Sequence, residues 1–341
     1  MVISVLGVDV GGTKVAAGPV DRAGSLLASP VVEPSQASDT ASFLAGLETT
    51  LRRALAEFAG FGPRAIGLAC AGTVDSTRGL VVTSPNLPLE EVPLAGILGE
   101  AFGIPVILEN DANAAVLGEA VTGAAAGLRH VVMLTLGTGV GGGLFVDGML
   151  FRGAGGGAGE LGHTIVRAEG HLCRCGAQGC LEMYASGSAL VRYAAARAGD
   201  PALDREDVLL ALQEGGKLTG AAVTRLARKG HAGALDAVRE LAGWLGIGLL
   251  NMTNIFNPEM IVVGGGVGEL GELLLEPARE VVRRTAITPN RDQVRIAAAM
   301  LGNRAGLVGG GLAAWEVLGG EGPSDIAAAG GTAAGGAVAA G

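Results

Sequence analysis

The feature that most constrains this chain is a strand that breaks on neighbouring glycines and then resumes, and the chain uses it twice. Residues 3–10 read as a strand, run into Gly11-Gly12 and continue as a second strand over residues 14–20, which turns between Asp21 and Gly24. Residues 130–136 run into Gly137-Thr138-Gly139, a strand follows over residues 141–146, and the chain turns at Asp147-Gly148. Laid together without a gap, Asp9-Val10-Gly11 falls on Thr135-Leu136-Gly137, and Asp21 falls on Asp147. One β-ribbon device repeated in this way points to a duplicated architecture.

Around these ribbons helices alternate with strands. Residues 41–59 have the spacing of an amphipathic helix and precede a strand over 65–69, while a strand over 105–108 feeds a helix over 112–120. Residues 236–255 are helical in pattern and lead to a strand over 261–263 that ends on Gly264-Gly265-Gly266. Helices are also expected over 182–198, 205–213, 221–229 and 305–318. The class is α/β with partly parallel sheets, and 341 residues suffice for roughly two domains. From residue 319 to 341 the chain is nearly all Gly and Ala, with Glu321 and Asp325 its charges. Such a segment buries too little to offset its ordering entropy and is expected to be a flexible tail.

Charge and hydropathy exclude several partners. With 33 acidic against 24 basic side chains the net charge is -9, so the chain lacks the Lys/Arg field that binding nucleic acid needs. The first ten residues have no basic n-region and meet Asp9 early, so no signal peptide is expected and the reading is cytoplasmic. The uncharged run over 241–258 carries Asn251, Asn254 and Asn257 and ends at Pro258, which reads as a buried helix and not a membrane span.

Three constellations carry chemistry. Glycine turns after strands expose successive N–H groups and let phosphate approach with no Cβ in the way, so three of them point to a polyphosphate ligand. Neither a Walker loop nor a G-x-G-x-x-G fingerprint is present, and a single glycine pair can be a plain hairpin turn. Thr13 and Lys14 beside Gly12 add a hydroxyl and a cation, and Asp9 is a candidate to hold hydrated Mg²⁺. Glu109-Asn110-Asp111-Ala112-Asn113 falls where a strand ends and a helix begins, the usual address of catalytic groups in α/β proteins. Two roles are open for Asp111: an N-cap, or a base taking the proton of an alcohol that attacks a terminal phosphoryl group. The third constellation is Glu160-Leu161-Gly162-His163, then Cys173, Cys175 and Cys180, then Glu182. Three thiolates and one imidazole make a closed tetrahedral zinc site of structural type. His171 is nearer the cysteines in sequence than His163, so either can be the fourth ligand. Such a centre would hold Glu160, His163 and Glu182 near one another as polar groups for a polyol. His130 and His231 read as surface or packing residues.

Taken in order, the run from Leu6 to Lys14, Ser84-Pro85-Asn86-Leu87, residues 109–113, residues 136–143, Gly159 to His163, the cysteine cluster through Glu182, and Asn257-Pro258-Glu259 through Gly266 resemble the ROK family of repressors and sugar kinases. Within it the likeness is to bacterial ATP-dependent glucokinases, and it extends from about Leu6 to about Gly311. The resemblance implies the actin-like ATPase fold, with two α/β domains flanking a cleft for ATP and sugar. The expected division is residues 1–109 completed by a helix over 303–318, residues 110–302 with the zinc motif, and the tail over 319–341. It implies transfer of the γ-phosphoryl group of Mg-ATP to glucose O6, with Asp111 as general base. It places Gly72, Asn86, Asn110, Asp111, Glu160, His163 and Glu182 at sugar-binding positions, and His163, Cys173, Cys175 and Cys180 as zinc ligands. Gly11, Gly12, Thr13 and Lys14 become the first phosphate loop, Thr138 and Gly139 the second, while Gly265 and Gly266 meet the adenosine. Fructose, mannose or N-acetylmannosamine are alternative acceptors, and polyphosphate is an alternative donor. A repressor role in this family needs a helix-turn-helix ahead of the sugar module, whereas this sequence opens on its first strand, so a kinase is expected. The resemblance also implies a homodimer or a dimer of dimers. The chain departs from the family at Ala71-Gly72-Thr73, where a proline-glycine pair is common.

Overall fold

The computed structural model describes residues 3–35, 38–198 and 218–319. The expected helix over 205–213 and the segment 320–341 lie outside the described residues. In chain order the first part contains β1 (Ser4–Val10), β2 (Lys14–Val20), β3 (Val31–Pro34), α1 (Thr40–Glu57), β4 (Pro63–Cys70), β5 (Thr73–Asp75), β6 (Leu80–Thr83), β7 (Glu90–Val92), α2 (Leu94–Phe102), β8 (Val106–Asn110) and α3 (Asp111–Val121). There follow β9 (Val131–Leu136), β10 (Val140–Val146), β11 (Met149–Leu150), α4 (Glu182–Ala185), α5 (Gly187–Ala198), α6 (Gly220–Arg228) and α7 (Ala232–Phe256). The chain then forms β12 (Met260–Gly264), α8 (Gly265–Gly268), α9 (Glu272–Thr285), α10 (Asn290–Gln293), β13 (Arg295–Ala298) and α11 (Ala305–Gly319).

The ribbon read in the sequence is the start of each of two five-stranded sheets. One has the order β3-β2-β1-β4-β8 and the other β11-β10-β9-β12-β13. In the first, β1 is antiparallel to β2 and parallel to β4, and β4 is parallel to β8. In the second, β10 is antiparallel to β11 and β12 is parallel to β13. The repeated order is that of the actin-like ATPase fold. A smaller sheet, β5-β6-β7, has no counterpart in the sequence reading, because its strands are only three or four residues long.

Packing divides the chain into two compact units. The first takes residues up to Val131, Gly143–Gly159 and residues from Met300 on; the second takes Val132–Gly142 and Glu160–Ala299. The expected division after residue 109 differs from this, because α3 packs within the first unit against α11. Backbone contact decides it: a Cβ on Gly309 would lie 1.7 Å from the Ala114 carbonyl oxygen, and one on Gly118 would lie 2.9 Å from that of Ala305. Glu119 of α3 is fully buried and accepts from the N–H groups of Ala124 (2.7 Å), Met300 (3.1 Å) and Leu301 (2.7 Å). It therefore clasps the point where the chain re-enters the first unit.

Helix α11 also lies on the first sheet at glycine contacts. A Cβ on Gly7 of β1 would fall 2.2 Å from the Leu307 carbonyl oxygen, and one on Gly67 of β4 would fall 1.8 Å from that of Gly310. In the second unit α7 buries Val238, Leu241, Leu245, Leu249 and Met252 at helical spacing. It is capped by His231, which accepts from the Ala234 N–H (3.3 Å), and ends on left-handed Asn257. The helix expected over 182–198 is broken at Ser186, which is extended. The break has a cause: the Gly187 N–H donates to the Gly137 carbonyl (2.7 Å), and the Ser186 hydroxyl accepts from the Ala189 N–H (3.2 Å) to start α5. Among the described residues no helix is long and apolar enough to cross a membrane.

Gly67→Ala is expected to cost more than about 2 kcal/mol in denaturant unfolding, since its Cβ would meet backbone. Gly46→Ala, on an open face of α1 with nothing near its Cβ, is expected to be neutral or to stabilise by up to ~1 kcal/mol.

Candidate active site

In the first unit the register of three parallel strands gathers the predicted residues. Asp9 of β1 lies beside Ala69 of β4, and Ala69 beside Glu109 of β8; Val10, Cys70 and Asn110 form the next row. Asp9, the Gly11–Thr13 turn, Gly72 and the Asn110-Asp111 step thus leave the sheet at the carboxyl ends of neighbouring strands. Gly72 has φ +124°, and a Cβ there would fall 2.4 Å from the Thr83 carbonyl oxygen, so the position requires glycine. Its carbonyl accepts from Asn110 Nδ2 (2.9 Å). Asn86 packs on Gly12, where a Cβ would lie 3.0 Å from it.

The cap at the head of α3 is Asn110. Its Oδ1 accepts from the N–H groups of Ala112 (2.9 Å) and Asn113 (3.0 Å). Asp111 is the first residue inside the helix and is exposed, with Oδ1 accepting from Asn110 Nδ2 (3.1 Å) and the Ala112 N–H (2.9 Å). Of the two roles open for Asp111, capping is therefore discharged by its neighbour.

Burial, and then the charge of Asp111, push the Asp9 carboxyl up to about 6, while Lys14 pulls it down. Asp9 also faces the first turn of α11, where a Cβ on Gly306 would sit 3.1 Å from its Oδ1. Burial, then Asp111 and Asp9, push the Cys70 thiol up to about 12. A carboxylate whose charge is disfavoured by burial and by a neighbouring acid is a fitting donor for a hard divalent cation, so Asp9 fits the Mg²⁺ that accompanies a nucleotide.

In the second unit the turn Gly137-Thr138-Gly139 is held by residues that come just after the cysteine cluster. The Val140 N–H donates to Glu182 Oε2 (3.0 Å), and the Ser188 hydroxyl donates to the Thr138 carbonyl (2.8 Å). A cavity of about 820 Å³ opens beside it, lined by Thr138, Ser188, Gly266, Arg225, Arg228 and Lys229 among others. Its size suits a nucleotide-sized ligand. Gly139 and Gly265 shape the turns: a Cβ on the first would lie 2.2 Å from Glu182 Oε2, and one on the second 2.5 Å from the Leu136 carbonyl oxygen. The three basic residues at the end of α6 were missed in the sequence; their clustering in an acidic chain was the available signal.

Ligand atoms of His163, Cys173, Cys175 and Cys180 all lie within 4.8 Å of one another. Cys175 and Cys180 sulfurs are 3.6 Å apart, and Cys173 Sγ is 3.6 Å from His163 Nδ1. In a tetrahedron with Zn–S of ~2.3 Å, sulfurs stand roughly 3.8 Å apart, so the four donors fit zinc, whereas a disulfide needs about 2.05 Å. Burial pushes Cys180 up to about 12 and raises Cys173, while the Ala177 backbone lowers Cys175. A dication bound there would have to displace the thiol protons of Cys173 and Cys180. His171 stands apart from the four, its ring on Tyr184 (5.3 Å between centroids). His163 Nε2 faces Glu160 Oε2 at 3.9 Å, and Glu182 Oε1 lies 3.9 Å from Cys173 Sγ. Of the expected sugar positions, Gly72, Asn86, Asn110 and Asp111 belong to the first unit and Glu160, His163 and Glu182 to the second.

Glycine turns at strand ends, a carboxylate pair and a cavity of nucleotide size on an actin-like fold define a phosphoryl-transfer class of protein. A ROK family profile matches residues 5–316, and the chain belongs to the ROK family. A glucokinase of Streptomyces coelicolor is 42% identical over 308 residues, covering 89% of this chain and 95% of that protein. The crystal structure of a ROK family glucokinase from Streptomyces griseus in complex with glucose and AMPPNP matches with a TM-score of 0.81 at 40% identity, covering 92% of this chain and 99% of that one. A xylose repressor of Caldicellulosiruptor bescii is 35% identical over 244 residues, which is 72% of this chain and 60% of the repressor.

Cys175→Ser is expected to lower bound zinc, read by elemental analysis, and the thermal midpoint together; unchanged metal content would remove zinc from the account. For Asp9 the sign is fixed by its raised folded pKa: the stability it contributes is full below the ordinary carboxylate range and is lost as pH rises through about 6. Asp9→Asn should therefore melt above the wild type at pH 7.5 without magnesium or nucleotide, and the gap should close near pH 4.

Proposed function

We propose that this protein phosphorylates glucose at O6 with Mg-ATP, giving glucose 6-phosphate and ADP. The observation that carries the reading is Asp111, exposed at the carboxyl end of β8 while Asn110 supplies the helix cap. Identity of 40% and more with Streptomyces glucokinases over nine-tenths of the chain supports the substrate pair. In this reading Asp111 takes the proton of the 6-hydroxyl as the O6–Pγ bond forms and the bond from Pγ to the ADP oxygen breaks. The demand is for position more than covalent help, which suits a carboxylate on a rigid helix terminus. Asn86, Asn110, Glu160, His163 and Glu182 orient the sugar hydroxyls, with Gly72 shaping the loop around them. Gly11, Gly12, Thr13 and Lys14 and then Thr138 and Gly139 hold the phosphates, and Gly265 and Gly266 meet the adenosine. Asp9 would hold the Mg²⁺ that neutralises charge on the phosphates. His163, Cys173, Cys175 and Cys180 would hold a zinc ion, which would order the segment that carries Glu160 and Glu182.

A sugar-responsive regulator is the second reading, favoured by the similarity to a xylose repressor. A coupled assay with Mg-ATP against glucose, mannose, fructose and N-acetylmannosamine separates them. Turnover dominated by glucose is expected, and Asp111→Asn should lower kcat by about 10²-fold or more with sugar binding retained. Sugar binding without turnover on any acceptor would favour the regulator, and turnover led by another sugar would change the acceptor.

A further inference from the structure

Directly before the Asn110-Asp111 step stands Glu109, whose side chain is 1% exposed. Its Oε1 accepts from the Ser76 hydroxyl (3.1 Å), the Asn110 N–H (3.0 Å) and Asn113 Nδ2 (3.1 Å). Its Oε2 accepts from Arg152 Nε at 2.6 Å. Arg152 also reaches Glu316 of α11 (3.5 Å), and its carbonyl accepts from the Ala158 N–H (3.1 Å), closing the glycine-rich loop 153–157. One carboxylate therefore touches β8, the first turn of α3 and the small sheet's β5–β6 connection, and one guanidinium fastens it to a loop and to α11. The orientation of the Asn113 amide is set by this carboxylate: its buried Oδ1 has no partner among the described residues, because Nδ2 is turned to Glu109.

A buried ion pair is a poor means of stabilising a fold, since desolvating both charges offsets most of their attraction and apolar residues do as well. What it does supply is direction, through several charge-assisted hydrogen bonds to one point. Here that point is the backbone that aims Asn110 and Asp111.

We propose that Glu109 and Arg152 are positioning residues that fix the Asn110-Asp111 step for phosphoryl transfer. The inference rests on the kinase reading above. Its test compares Glu109→Gln, Arg152→Met and the double variant, the last of which leaves neither charge of the Glu109–Arg152 pair and strips Arg152 only from Glu316, whose side chain is 28% exposed. Thermal midpoint, kcat, and KM for glucose and ATP are read on the full chain. Arg152→Met alone should lose stability, and the double variant should regain most of it. All three should lose roughly tenfold or more in kcat, without additivity, and with KM for ATP held. A stable double variant with kcat within about twofold of wild type would mean that the pair only supports the fold and would overturn the inference. A wild-type protein that phosphorylates no sugar would overturn the kinase reading and this inference together. Wild-type turnover with an unaffected double variant would remove this inference alone.

Discussion

The first unit depends on backbone meeting backbone where side chains are missing. Gly7 and Gly67 on the sheet and Gly309 and Gly310 on α11 let the helix approach strands and α3 at distances that no Cβ allows. This explains why so glycine-rich a chain can be well packed: along this seam glycine is the packing residue, and dispersion is gained by peptide groups in contact. The same helix brings Gly306, in its first turn, against the Asp9 carboxylate.

The functional groups show how one local choice frees another. An N-terminal helix turn needs an acceptor, and β8 delivers Asn110 to that place through its pairing with β4. Once Asn110 has taken the cap, the next residue carries a carboxylate held at Oδ1 by Asn110 Nδ2 and the Ala112 N–H. In the second unit Glu182 does something similar, since it holds the Val140 amide beside the Gly137–Gly139 turn while standing next to Cys173. Order in the cysteine cluster and order in the glycine turn are thereby connected through one side chain.

Much of this was legible because it is local. Paired glycines after a strand, a strand-to-helix step with Asn-Asp, and three cysteines in eight residues each announce themselves within a few positions. Both ribbons appear within a residue of their expected bounds, and the strand over 105–108 runs on only to Asn110. What stayed hidden is non-local. Arg152 sits in a loop with no periodicity, and nothing near it in sequence names Glu109 as its partner. The break at Ser186 comes from a hydrogen bond to Gly137, fifty residues earlier, and propensity alone reads that stretch as one helix. The division between units was likewise invisible, because glycine contacts of α3 with α11 leave no hydrophobic pattern behind. Choosing His163 over His171 needed either the family likeness or the fold, since proximity along the chain favours His171 whereas the fold groups His163 with the cysteines.

The clasp of Glu119 on Met300 and Leu301 bears on how such a chain is made. The first unit is written in separate stretches of the gene, and its last helix is translated after the whole of the second. Until that helix emerges from the ribosome, β1 and β4 have no partner for their glycine face, and Glu119 has no amides from Met300 and Leu301 to hold. Vectorial folding that finishes the first unit before the second is therefore closed to this topology. The nascent first unit must wait, part-built, for residues that are synthesised after the whole of the second.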